Sequence, residues 1–142
     1  MKNITFTMIK PYAVEMGYAG QIISQIENNG FKIRALKMVH LTKNQAAKFY
    51  SVHKGKQFFE DLIEFMSSGP IFVALLEKEN AVADYRKLIG ATDPSEAEEG
   101  TIRKLYAQSK TKNAVHGADS DKNAIIESRF FFSDVEMHFN EN

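Results

Sequence analysis

Two hydrophobic periodicities alternate along this chain, and their order limits the possible folds more than any feature of its composition. In "NITFTMI" the apolar residues Ile4, Phe6 and Met8 alternate with Thr5 and Thr7, the period of a half-buried strand. Pro11 ends it. Ala19, Ile22, Ile23 and Ile26 then recur at helical spacing, and Asn29-Gly30 supplies a stop. "FKIRALKMVHL" predicts a second strand, basic on one side and apolar on the other. Thr42 followed by Gln45 has the spacing of a capping box and opens a short helix with Ala46, Phe49 and Tyr50. After the "HKGK" break, Phe58, Phe59, Leu62, Ile63 and Met66 predict another amphipathic helix. "GPIFVALLE" reads as a short, well-buried strand. The helical spacing of Ala81, Val82, Tyr85, Leu88 and Ile89 follows it and stops at Gly90. Residues 91–112 are polar and irregular, apart from a brief apolar cluster at Ile102, Leu105 and Tyr106. "NAVHGAD" predicts a last short strand, and Ser120 or Asp121 caps the helix "KNAIIESRFFF". Stripped of its additions the order is βαββαβ. The expected fold is therefore α+β, a ferredoxin-like sandwich whose four-stranded antiparallel sheet carries helices on one face.

Composition removes several classes of function. The 142 residues suit one domain over 1–142. Eighteen basic side chains balance eighteen acidic ones, so no global field favours nucleic acid or an anionic membrane. Any positive charge for phosphate must be local. The lack of cysteine excludes a disulfide framework and a cysteine-based zinc or redox site, and it suits a reducing compartment. The first residues hold no uninterrupted apolar run of the signal-peptide kind. No segment reaches the roughly 20 apolar residues of a membrane-spanning helix. The expected location is the cytoplasm.

Candidate chemistry is sparse. The eight glycines form no G-x-G-x-x-G and no G-x-x-x-x-G-K-[ST], so a bound phosphate would have to be held by side chains. His40, His53, His116 and His138 are scattered, with no pair at metal-ligand spacing. His40 at a strand end and His138 in the tail read as structural or surface groups, and His53 as solvated. No G-x-S-x-G elbow supports a serine hydrolase. Alone, His116 in "KNAVHGADS" is more ordinary as a structural histidine than as a nucleophile. Its company changes the balance. Lys10 at a strand end, Arg86 on the helix before the irregular segment, and Thr92 and Arg103 within that segment could converge on an anion. Of the adjacent Phe58 and Phe59, which point about 100° apart on a helix, one could face outward and stack on a base.

Together "TFTMIKPYAV", "GFKIRALKM", "KQFFEDLIEFMSSGPIFVALLE", "GATDPSEAEEGTIR" and "NAVHGADS" resemble the nucleoside diphosphate kinases in order and spacing. The resemblance runs from about Thr5 to about Phe132, and the N-x-x-H-G-x-D-S element is highly specific. It implies ping-pong transfer of a γ-phosphoryl group from ATP or another nucleoside triphosphate to a nucleoside diphosphate. His116 matches the histidine that carries the phosphoryl group. Lys10, Arg86, Thr92 and Arg103 match the phosphate-holding residues, and Lys10 and Asn113 also match positions that contact the ribose. Phe58 matches the aromatic that stacks on the base. Tyr50 matches a tyrosine near the histidine, and Glu127 a residue that orients its ring. A stacking phenylalanine accepts every base, so broad base tolerance is expected. Mg²⁺ would enter with the nucleotide and need no direct protein ligand, with Asp119 a contact through water. The family forms tetramers and hexamers, so a homo-oligomer is expected, with no membrane and no specific nucleic acid as partner.

Two departures from the family pattern stand out. Ala118 occupies the position where relatives usually carry Ser, and the absent hydroxyl is expected to cost about 1 kcal/mol in stability or ring positioning through a lost bond to Glu127. Glu99 stands where many relatives have Pro, which should loosen the 91–112 segment. A different class of function, a nucleotide-binding or interaction module that has lost transfer, would be free to lose some of the set Lys10, Arg86, Thr92, Arg103, Asn113 and His116. All are present.

Overall fold

The computed structural model describes residues 3–138. Strand β1 (Ile4–Ile9) leads into helices α1 (Pro11–Glu15) and α2 (Ala19–Asn28), then β2 (Lys32–Val39). Helices α3 (Lys43–Phe49) and α4 (Phe59–Met66) precede β3 (Ile71–Glu77), which is followed by α5 (Ala81–Ile89) and α6 (Ile102–Tyr106). The chain finishes with β4 (Val115–Gly117), α7 (Asp121–Phe131) and α8 (Asp134–Met137). The strands form one antiparallel sheet in the order β2-β3-β1-β4. This is the expected ferredoxin-like arrangement.

Local chemistry explains most element ends. Pro11 both ends β1 and occupies the first turn of α1, where its missing N–H costs nothing. Thr42 and Gln45 form the reciprocal capping box of α3. Ser120 starts α7 by accepting from the Asn123 N–H at 3.0 Å. Ser133 and Glu136 build a second capping box on α8, a one-turn helix that the apolar spacing did not predict. Within the irregular 91–112 segment, Thr101 caps the single turn of α6, again too short for a periodic signal.

The sheet is covered on both faces, not on one as expected. Ile4, Phe6, Met8, Val73 and Leu75 pack against residues of α3, α4, α7 and α8. Ile9, Ala74, Leu76 and Val115 pack against residues of α1, α2, α5 and α6. Helices α2 and α5 make the crossovers of the basic fold, with α1 and α6 on their side, and α3, α4, α7 and α8 close the other. All six residues of β1 are consequently buried. Thr5 and Thr7, polar in the alternation, lie under the second layer rather than in water.

Candidate active site

His116 is the middle residue of the edge strand β4, paired with Met8 of β1. The short strand places a catalytic-type side chain at the sheet rim, and its backbone is held from several sides. Ala114 adopts φ +75° and the Val115 N–H donates to the Asn113 carbonyl at 3.0 Å. This is a tight γ-turn in a region that costs a non-glycine residue about 1–3 kcal/mol. The turn is pinned by the Lys10 N–H, which donates to the Ala114 carbonyl at 2.8 Å. The Thr7 hydroxyl donates to the His116 carbonyl at 2.7 Å. Having spent its only proton there, it must accept from the Tyr85 hydroxyl 2.6 Å away. Burial raises the ionisation of that Tyr85 hydroxyl well above the ordinary tyrosine range, so it remains a donor. Gly117 completes the fit: a Cβ there would lie 2.9 Å from Ile89 Cδ1 and 3.3 Å from Tyr85 Cδ2.

The imidazole sits against the rings of Phe6, Phe49 and Tyr50, with centroids 6.0, 5.7 and 6.5 Å away. Its Nε2 lies 2.7 Å from Glu127 Oε1 on α7. An ionised carboxylate only accepts, so Nε2 is the donor in this bond, and in the neutral tautomer that leaves the lone pair on Nδ1. The arrangement thus anchors one nitrogen of the ring and leaves the other as the position at which a neutral imidazole is nucleophilic.

Beside the backbone that leads into β4 the structure buries two cations, Lys10 and Arg103. Lys10 is buried at 6% exposure. Burial, reinforced by Arg103, lowers its ammonium pKa to about 7. Arg103, on α6, donates from Nη1 to the Gly90 carbonyl at 2.9 Å and from Nη2 to the Val115 carbonyl at 3.0 Å. Burial pushes its guanidinium down to about 10, with Tyr85 opposing the shift and Arg86 adding to it. It stays cationic at neutral pH. Among the described residues, no carboxylate forms an ion pair with Lys10, Arg86 or Arg103. Burying like charges unpaired is costly, and an anionic ligand removes that cost. Among the described residues Tyr50 Oη, Arg103 Nε and Asn113 Oδ1 are also buried without hydrogen-bond partners, as is Thr5 Oγ1 in β1. Burial, helped by the Glu127 charge, raises the Tyr50 hydroxyl's pKa, so it remains protonated.

Most of the expected residues converge. Glu127 and Tyr50 face His116, Arg103 binds the carbonyl beside it, and Lys10 and Asn113 flank the γ-turn. Arg86 is exposed on α5, within electrostatic reach of Arg103. Thr92 and Asp119 are exposed. Thr92 lies two residues after Gly90 and makes no hydrogen bond to the others, and Asp119 accepts from Asn123 Nδ2 at 2.6 Å. Of the phenylalanine pair, Phe59 is buried and Phe58 is 47% exposed, so Phe58 is the outward ring. His53, expected to be solvated, is half-buried between the rings of Tyr50 and Phe58. Its role depends on a turn from Ser51 to His53 that no periodicity announces. Thr7 and Tyr85 were not singled out either, because their hydroxyls meet only when β1 and α5 pack.

A family model described as nucleoside diphosphate kinase matches residues 3–137. The nucleoside diphosphate kinase of Chlorobaculum tepidum is 56% identical over 133 residues, covering 94% of this chain and 95% of the relative. That of Flavobacterium psychrophilum is 55% identical over 135 residues, covering 95% and 97%. Among solved structures, the Aquifex aeolicus nucleoside diphosphate kinase superposes with a TM-score of 0.93 at 42% identity, covering 95% of this chain and 98% of that one. A Halobacterium salinarum nucleoside diphosphate kinase, solved in complex with CDP, gives 0.93 at 33% identity, covering 100% and 95%.

Proposed function

The chain belongs to the nucleoside diphosphate kinase family, and from the geometry of its site we propose that Nδ1 of His116 is the atom that carries the phosphoryl group. The overall reaction is transfer of the terminal phosphoryl group of a nucleoside triphosphate to a nucleoside diphosphate through a phosphohistidine. Nδ1 attacks the γ-phosphorus as the bond to the bridging oxygen of the leaving diphosphate breaks. The Nε2 proton stays on the ring, held by Glu127, which stabilises the positive charge that develops there. A second nucleoside diphosphate then attacks the phosphohistidine, and the same steps run in reverse.

Lys10, Arg86, Thr92 and Arg103 are assigned to the phosphate oxygens, where charge builds in an in-line transfer. Asn113, with Lys10, faces the ribose, and Phe58 supplies a stacking surface indifferent to base identity. Among the described residues no three His, Asp or Glu side chains cluster as a metal site. The unpaired buried donors suit phosphate rather than a cation. On this reading Mg²⁺ would come with the nucleotide and supply charge stabilisation at the phosphate oxygens, with Asp119 the residue that would hold it through water. No helix among the described residues is long and apolar enough to cross a membrane. We read the protein as a cytoplasmic homo-oligomer, tetramer or hexamer.

The observation that supports this assignment most directly is the unpaired cation cluster beside an imidazole whose Nε2 is already bonded. Incubation with γ-labelled Mg-ATP alone should give an acid-labile phosphoprotein that any nucleoside diphosphate discharges. Full transfer by His116→Ala would overturn it.

A further inference from the structure

The rings of His116, Tyr50, His53 and Phe58 form a row leading from the nucleophile to the exposed phenylalanine. Tyr50 meets His116 edge-on, with centroids 6.5 Å apart at 83°. Tyr50 also stacks with His53 at 6.4 Å and 27°. His53 then meets Phe58 at 5.3 Å and 57°. Backbone bonds hold the intervening segment in a compact turn: the His53 N–H donates to the Tyr50 carbonyl at 2.8 Å and the Lys56 N–H to the His53 carbonyl at 3.0 Å. Gly55, at φ +89°, permits that path.

Lys56 ties the outer end of the row. Its Nζ lies 3.1 Å from His53 Nδ1 and 5.8 Å from the centroid of the Phe58 ring. An ammonium only donates, so Nδ1 of His53 must carry a lone pair and the ring must be neutral. Burial, then the neighbouring Lys56 and His116, hold its pKa below the ordinary histidine value, which favours that form. Phe58 is 47% exposed and stands at the N-terminal boundary of α4. A ring so exposed samples several rotamers unless something backs it, and only some of those present a flat face to a base.

We propose that His53, anchored by Lys56, is a positioning residue that holds the Phe58 ring in the orientation that receives the nucleotide base. The inference rests on the reading of Phe58 as the stacking surface, and the two are separable by experiment. Steady-state kcat and KM for a nucleoside diphosphate would be measured with saturating Mg-ATP for Phe58→Ala, His53→Ala, His53→Phe and the double variant Phe58→Ala/His53→Ala, with a thermal melt of each. Phe58→Ala should raise KM by about tenfold, in the range found for loss of one stacked base. His53→Ala should raise KM by roughly three- to tenfold, with kcat within about twofold and an unchanged melt. His53→Phe keeps the row of rings but not the Lys56 bond, so its KM should fall between wild type and His53→Ala. It serves as the measured variant if the alanine protein melts early. The double variant should be no worse than Phe58→Ala alone.

If Phe58→Ala raises KM while neither His53 variant does, the positioning role is wrong and the stacking reading survives. Additive effects in the double variant, or a fall in kcat at constant KM, would also overturn the role, because His53 would then act on substrate or nucleophile directly. An unchanged KM in Phe58→Ala removes the stacking reading and the inference with it.

Discussion

Replacing Glu127 by alanine removes the group that holds the nucleophile's ring by Nε2. The bond is 2.7 Å long, and the two side chains are 18% and 20% exposed, so solvent screens it less than a surface pair. A hydrogen bond to a charged acceptor in such a setting contributes about 1.5–3 kcal/mol. On the proposed assignment its contribution is largest in the transition state, where bond formation at Nδ1 would make the ring positive and Nε2–H a stronger donor. Only such a differential interaction accelerates the chemical step. At about 1.4 kcal/mol per factor of ten, Glu127→Ala should slow phosphorylation of His116 by about 10- to 150-fold. Glu127→Gln keeps an acceptor oxygen but not the charge, and neutral bonds are roughly half as strong, so a loss of about three- to tenfold is expected. The assay is a single-turnover rapid-quench measurement of phosphoprotein formation from excess Mg-ATP, with nucleotide affinity measured separately. A Glu127→Ala rate within twofold of wild type would refute the argument that the carboxylate sets the ring.

Other substitutions probe the support of the site. Lys10→Met should raise the melting temperature of the nucleotide-free protein at neutral pH by about 3 °C or more, because it removes a buried cation, while transfer is lost. The lowered Lys10 pKa makes the folded state disfavour the charged form. Its cost is therefore fully present below about pH 7 and is relieved as pH rises from there toward the ordinary lysine value, a trend that Lys10→Met should abolish in melts across that range. Bound phosphate favours the cation, so calorimetry of nucleoside diphosphate binding in buffers of different ionisation enthalpy should detect proton uptake near pH 7.5 in wild type and none in Lys10→Met. Gly117→Ala should destabilise by roughly 1–3 kcal/mol in denaturant unfolding, because its Cβ meets Ile89 and Tyr85. Ala118→Ser should gain about 1 kcal/mol in stability, or the equivalent rate, if the new hydroxyl reaches Glu127. A loss of stability would show that the buried hydroxyl finds no partner at this fully buried position.

The fold was legible wherever apolar spacing extends beyond one turn. Ile22 and Ile26 marked α2, and Tyr85 and Ile89 marked α5. The alternation of β1 correctly placed Phe6 and Met8 in the core, but it misrepresented Thr7 as solvent-facing. That hydroxyl is buried because α5 brings Tyr85 over it, a contact between residues 78 positions apart that no local period encodes. The one-turn helices α6 and α8 are capped by Thr101 and Ser133 but too short for a pattern. At the site, His116 gained its reading from the family motif, not from its neighbours. The resemblance assigned Glu127 to the ring, and the structure supplies the 2.7 Å bond. His53 escaped because its ring contacts depend on how one turn packs.

Arg103 binds the carbonyls of Gly90 and Val115, so it works as a cross-link that fastens both ends of the intervening segment. The ordering entropy of this guanidinium is spent when the chain folds, and on the proposed assignment a phosphate would meet a cation already in place. Linkage makes the relation reciprocal. A nucleotide that holds Arg103 also resists opening of residues 90–115, so amide exchange along that stretch should slow on binding even at backbone positions the nucleotide never touches.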